Sequence, residues 1–156
     1  SLRLDEKLFR KFCSEIGYQP IVFHSFQTAG EERLPIYHTN VMMCVAEKFV
    51  VICLDAIDNE NERTLVKNTI EATNKEIVEI SEEQMHQFAG NMLQLRNDNN
   101  EHFLVMSKSA YQSLKKEQLE TIKKTSDIIY ADLNTIEVNG GGSARCMLAE
   151  VFLPKK

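Results

Sequence analysis

From residue 40 onward the sequence spells out one supersecondary unit and then repeats it about fifty residues later. In the first copy, "NVMMCVAEKFVVICLDAI" predicts two apolar strands around a tight turn at Ala46 to Lys48. "NENERTLVKNTIEATN" predicts a helix with Leu65, Val66, Thr69 and Ile70 on one face, and "KEIVEIS" predicts a further strand. The second copy runs "NMLQLRNDNNEHFLVMS", "KKEQLETIKKTS" and "DIIYADL", giving the same order of strand, strand, helix, strand. The two full units cover about 40–80 and 91–132. A partial unit at 134–156 opens with "TIEVNGGGSARCMLAEVFL" and ends after its strands, and another occupies 1–30. "SEEQ" at Ser81 to Gln84 and "SAYQ" at Ser109 to Gln112 read as capping boxes or their surroundings. Such units bury their flanks on one another and can surround a pseudo-symmetry axis, the first strand of each lining the centre as in propeller blades. The expectation is a single α/β domain over 1–156, built as an incomplete α/β propeller. Its missing neighbours would come from upstream sequence, from another chain, or not at all.

Ahead of the repeat, Leu8, Phe9, Phe12, Cys13 and Ile16 fall on one helical face, with Asp5 and Glu6 in the first turn and Gly17 as the stop. "PIVFHSF" then predicts a short strand and "QTAGEERLP" a polar loop.

Charge narrows the function. With a net charge of -5 and no Lys/Arg cluster, the chain lacks the footprint needed for nucleic acid or an anionic membrane, so neither is an expected partner. No apolar run has the length of a membrane span and the first residues do not read as a signal peptide, so the expected location is cytoplasmic. Cys13, Cys44, Cys53 and Cys146 form no C-x-x-C pair and the histidines no H-x-x-x-H pair, so neither a disulfide framework nor a zinc site is indicated.

If the strand starts converge on the axis, three stretches meet there: "YHTNVMM" with His38 and Asn40, "FAGNML" with Gly90 and Asn91, and "GGGSARCM" with Cys146. A cysteine and a histidine brought together from distant sequence is the minimum for nucleophilic catalysis, because the thiolate attacks and a nearby imidazolium favours it. The plain alternative is a tight turn before a core strand holding a buried cysteine.

"IYHTNVMMCVAEKFVVICLDAI", "FAGNMLQL" and above all "GGGSARCMLAEVFLP" resemble the guanidino-group-modifying superfamily of pentein fold, which includes arginine deiminases and amidinotransferases. The likeness is greatest to bacterial arginine-deiminase-related proteins of the citrulline-utilization type, and it runs over the C-terminal half of such a protein. Family members have about twice this length, and the acidic substrate-binding residues of their first half have no counterpart here. The resemblance implies Cys146 as nucleophile and His38 as general acid/base. The thiolate would attack the guanidinium carbon, His38 would protonate the departing amine, and neutral His38 would activate the water that releases a ureido product. An amine in place of that water would make the site an amidinotransferase. No metal or organic cofactor is implied. Arginine deiminases carry H-x-D where this chain has His38-Thr39-Asn40, so the charge that would hold a substrate cation is replaced by an amide. The chain by itself is therefore expected to bind guanidino compounds weakly and to turn them over slowly or not at all.

Smaller candidates surround that pair. Gly140, Gly141 and Gly142 would wrap the substrate or simply turn the chain; the loop lacks P-loop spacing and is expected to lead into a strand, so it is no nucleotide site. Asn91 would line the site or bond its own turn, and Arg145 would pair with a substrate carboxylate or lie in solvent. Cys44 and Cys53 are assigned to the core; His24, His86 and His102 to surface or packing; Glu137 and Glu150 to strands flanking the cysteine loop as rim charges. The expected ligand is a guanidino or ureido compound such as arginine. An open ring exposes two apolar flanks, so a homo-oligomer, or association with an N-terminal half, is expected. The competing reading is a non-catalytic binding module on the same fold; a general thiol hydrolase or redox protein is weaker, with no resolving cysteine near Cys146.

Overall fold

The computed structural model describes residues 3–151. Helix α1 (Glu6–Glu15) starts where Asp5 accepts from the Leu8 N–H at 2.8 Å and stops before Gly17, which takes the left-handed φ of 73° that a side chain would resist. It buries Cys13 and leaves Leu8 and Phe12 exposed.

The next segment departs from expectation. Residues 20–25 form no strand, and the stretch expected to be a polar loop is an antiparallel hairpin of β1 (Phe26–Ala29) and β2 (Glu32–Pro35), turning at Gly30. Charge rather than apolar alternation anchors it. Arg33 reaches the carboxylates of Asp58 and Glu82, and Glu82 also accepts from the Thr28 N–H at 3.1 Å. No periodicity in the sequence reports a strand held in that way.

Two units of strand, strand, helical crossover and parallel strand follow, the second with two helices where one was expected. In the first, β3 (Met43–Val45) runs antiparallel to β4 (Phe49–Ile52), α2 (Glu60–Ala72) crosses over, and β5 (Glu76–Glu79) returns parallel to β4. After α3 (Glu82–His86), the second repeats this with β6 (Leu93–Arg96), β7 (His102–Ser107), α4 (Lys108–Ser113), α5 (Lys116–Lys123) and β8 (Asp127–Ala131). A parallel return needs a crossover, and the helices supply it. The middle strand of each sheet lies in the core: all of β4 is buried, as are Leu104 and Met106 on β7. The units meet through β3 against β6 and α5 against β5. The result is a mixed α/β fold. No helix among the described residues is long and apolar enough to cross a membrane.

The helix starts explain part of the junction. Ser81 and Gln84 form the expected capping box on α3, and Gln84 then donates to the Ser113 carbonyl at 2.7 Å and to Oε1 of Gln118 at 2.7 Å. Gln118 in turn donates to the Glu79 carbonyl at 2.5 Å and accepts from the Lys115 N–H at 2.7 Å. The two buried amides thus tie one repeat to the other. Gln118→Leu would strand several buried polar groups at once, and we expect it to cost about 3 kcal/mol, read as a lowered urea midpoint with an unchanged slope. "SAYQ" is not a capping box: the N-cap of α4 is Ser107, which accepts from the Ala110 N–H at 3.2 Å, and Ser109 lies inside the helix.

The third unit does not begin with a strand. Residues 134–140 form α6 (Asn134–Gly140), closed by Gly141 at a left-handed φ of 66°, and a 3₁₀ turn follows over Ala144–Met147. Glu137 is therefore helical and buried rather than a strand rim charge. Its alternation with Ile136 and Val138 imitates a strand, but its carboxylate is fastened inside the fold. Residues 152–156, the end of that expected unit, lie outside the described residues.

Candidate active site

The site starts from a glycine that has no room for a side chain. A Cβ on Gly90 would sit 2.4 Å from the Val41 carbonyl oxygen and 2.7 Å from the Met42 carbonyl carbon, so the backbone entering the first repeat lies directly on the backbone entering the second. Asn91 follows at 4% exposure and joins the three stretches. Its amide nitrogen donates to the Asn40 carbonyl at 3.0 Å and lies 3.3 Å from Cys146 Sγ, while its Oδ1 accepts from the Arg145 N–H at 3.1 Å. The thiol also points to Asn91 Oδ1 at 3.6 Å, so one buried amide holds the sulfur through both of its polar atoms.

Cys146 is exposed, whereas Cys13, Cys44 and Cys53 are buried. Burial pushes the Cys44 thiol up to about 12 and that of Cys53 up to about 11, which leaves them inert near neutral pH. Behind Cys146, its N–H donates to the Ser143 carbonyl at 3.0 Å. Gly142 packs so closely that an added Cβ would lie 3.3 Å from both Cβ and Sγ of the cysteine. The glycine loop leads into the 3₁₀ turn carrying Cys146, not into a strand.

The thiol opens into a cavity of about 240 Å³ lined by residues that include Tyr37, Val41, His86, Phe88, Asn91 and Gly141. Arg145 is turned away, its guanidinium 3.3 Å from the Leu148 carbonyl oxygen. Gly140 faces only the Ile136 side chain. Asn40 Oδ1 is buried and has no hydrogen-bond partner among the described residues.

His38 occupies a neighbouring position. It precedes the 3₁₀ turn at Thr39–Val41, meets Tyr37 edge to face with ring centres 4.5 Å apart, and lines a larger cavity of about 410 Å³ beside Arg3, Phe9, Phe23 and His24. Burial first, and the charge of Arg3 second, hold its imidazole below the ordinary histidine range. Tyr37 lines both cavities. The structure thus joins Cys146 to Asn91 and Asn40, and places His38 in the adjoining cavity.

Two residues escaped the sequence reading. His86, assigned to surface or packing, lines the cysteine's own cavity from the last turn of α3; its position shortly before "GNML" was the available signal. Glu137 accepts from Ser143 Oγ and from Ser109 Oγ, each at 2.6 Å. No linear pattern connects those three.

Comparison with known proteins places this geometry. Among solved structures, the chain is similar to ArgZ, an arginine dihydrolase of the ornithine-ammonia cycle in cyanobacteria, in its apo form (TM-score 0.62, 14% identity, 91% of this chain and 20% of that one). It is also similar to the N-terminal domain of ArgZ bound to product (TM-score 0.61, 13% identity, 91% of this chain and 45% of that one). A cysteine-to-serine variant of that domain bound to substrate matches at a TM-score of 0.60 and 12% identity, over 90% of this chain and 45% of that one. The chain therefore spans less than half of the ArgZ N-terminal domain. No curated protein matches it. The model of the eukaryotic N,N dimethylarginine dimethylhydrolase family matches residues 1–153, and the chain belongs to that family, within the guanidino-modifying pentein superfamily.

Proposed function

We propose that this chain carries the thiol side of the active site of a hydrolase acting on the guanidino group of arginine or an N-methylated arginine, on an α/β propeller whose adjacent blades are the two repeat units. The observation that carries the reading is the contact between the exposed Cys146 sulfur and the buried Asn91 amide at 3.3 Å, in a cavity that opens to ligand. Neutral His38 takes the thiol proton as Cys146 attacks the guanidinium carbon, hands that proton to the departing amine as its C–N bond breaks, and then activates the water that releases the ureido product and the free thiol. Asn40 lines neither cavity, but its buried Oδ1 lacks a donor among the described residues and would meet a guanidinium, which offers only donors, if the side chain turned toward the sulfur. The family's name supports dimethylarginine and the ArgZ likeness supports arginine, so both are substrates to test. Gly141, which lines the cavity, would contact the substrate, and Arg145 would need to swing from Leu148 to meet its carboxylate. A homo-oligomer, or association with further propeller blades, would complete the ring and the acidic part of the site.

The test is release of ammonia or dimethylamine, with matched ureido product, from arginine and dimethylarginine. His38→Ala is expected to reduce the rate at least about a hundredfold, as loss of a general acid/base does, with His86→Ala within about threefold of the parent. The reverse pattern would transfer the proton to His86, the histidine that shares the cavity with the sulfur, and full activity in His38→Ala would end the mechanism as written.

A further inference from the structure

Glu137 is a buried carboxylate, 7% exposed, on the helix that leads into the cysteine loop. Each of its oxygens accepts one serine hydroxyl at 2.6 Å: Oε1 that of Ser143, in the loop, and Oε2 that of Ser109, in the second repeat. Ser109 has one proton, already given to the carboxylate. The 2.8 Å contact between Ser107 Oγ and Ser109 Oγ is therefore a donation from Ser107, which itself accepts from the Ala110 N–H at the start of α4. The chain of hydroxyls has a single direction, from the N-cap of α4 through Ser109 to Glu137. Ser143, fully buried, then passes the constraint to Cys146, whose N–H its carbonyl accepts at 3.0 Å. On the other side, Asn91 grips the same turn through the Arg145 N–H and the Cys146 sulfur. The cysteine turn is thus held between two anchors of the second repeat, Asn91 before β6 and Ser109 after β7.

We infer that Glu137 is a positioning residue for Cys146: its carboxylate fixes the Ser143 loop to Ser109 so that the sulfur stays on the Asn91 amide. This rests on Cys146 being the reactive group of the proposed site, but the test uses no guanidino substrate. A merely structural Glu137 would lower stability alone. A positioning Glu137 acts through the Asn91 contact, so its loss and the loss of Asn91 must overlap.

The experiment is the pH–rate profile of iodoacetamide alkylation at Cys146, resolved by mass spectrometry, in the parent chain, Glu137→Gln, Asn91→Ala and the double variant, with folding checked by circular dichroism. Glutamine keeps the shape of Glu137 but leaves one hydroxyl without its acceptor. Both single variants are expected to slow alkylation of Cys146 about tenfold, the scale of one hydrogen bond, and the double variant to add little to either. Additive losses, or parent-like rates in Glu137→Gln beside slowed ones in Asn91→Ala, would overturn the inference. If Glu137→Gln does not fold, Ser109→Ala removes one arm of the same tether and must give the same overlap with Asn91→Ala, on the same criteria. Failure of the proposed function would show separately, as alkylation of Cys146 in the parent chain that arginine does not slow, with these profiles unchanged.

Discussion

Cys146→Ser is expected to lower guanidino hydrolysis by at least about a thousandfold relative to the parent chain in the same assay, with the far-ultraviolet spectrum and urea midpoint unchanged. The guanidinium carbon is stabilised by resonance and yields only to a strong, soft nucleophile. A hydroxyl in place of the thiol keeps nearly the same volume and can keep the Asn91 contact, but it is a far weaker acid and a far poorer nucleophile. Because Cys146 is exposed, the substitution removes no buried side chain. Measurement of amine release and unfolding on the same preparations separates the two effects. Retained activity would remove Cys146 from the chemistry, and lost activity with a lowered midpoint would make it structural.

Gly90→Ala is the substitution expected to damage the fold most. The added methyl would meet backbone at 2.4 Å and 2.7 Å, and neither the Val41 carbonyl nor the Met42 backbone can swing away as a side-chain tip would. Relief requires the entry to one repeat to move from the entry to the other, which pulls Asn91 from the Asn40 carbonyl. We expect a loss of about 3 kcal/mol or more, at the upper end of what overpacking costs, seen as a fall in urea midpoint. Gly142→Ala is the informative contrast. Its Cβ would meet only Cβ and Sγ of Cys146, at 3.3 Å, so its effect should appear in cysteine reactivity more than in stability.

The repeat was legible because hydrophobic order survives in both copies. β3 and β4 flank the turn expected at Ala46 to Lys48, α2 carries buried Val66 and Ile70 on its predicted face, and β7 returns the apolar centre of the second unit. What the sequence hid was structure held by polar groups. The hairpin at Phe26 to Pro35 depends on Arg33 meeting Asp58 and Glu82, and α6 carries an alternation, Ile136, Glu137, Val138, that a strand would share. Around the site, the convergence of Asn40, Asn91 and Cys146 followed from the equivalence of the repeats. The separate cavity of His38, the presence of His86 beside the sulfur and the serine tether on Glu137 depend on side-chain directions that spacing does not encode.

The proposed function requires Cys146 to be a reactive thiol in a site that receives a guanidinium. The most direct test is the rate of iodoacetamide alkylation at each cysteine of the native chain near neutral pH, with and without a saturating concentration of arginine. Cys146 is expected to be labelled well ahead of the buried Cys13, Cys44 and Cys53, slowed several-fold or more by arginine and not by an equally charged amine that lacks the guanidino group. Labelling of Cys146 at the same rate with and without arginine would contradict the proposed function.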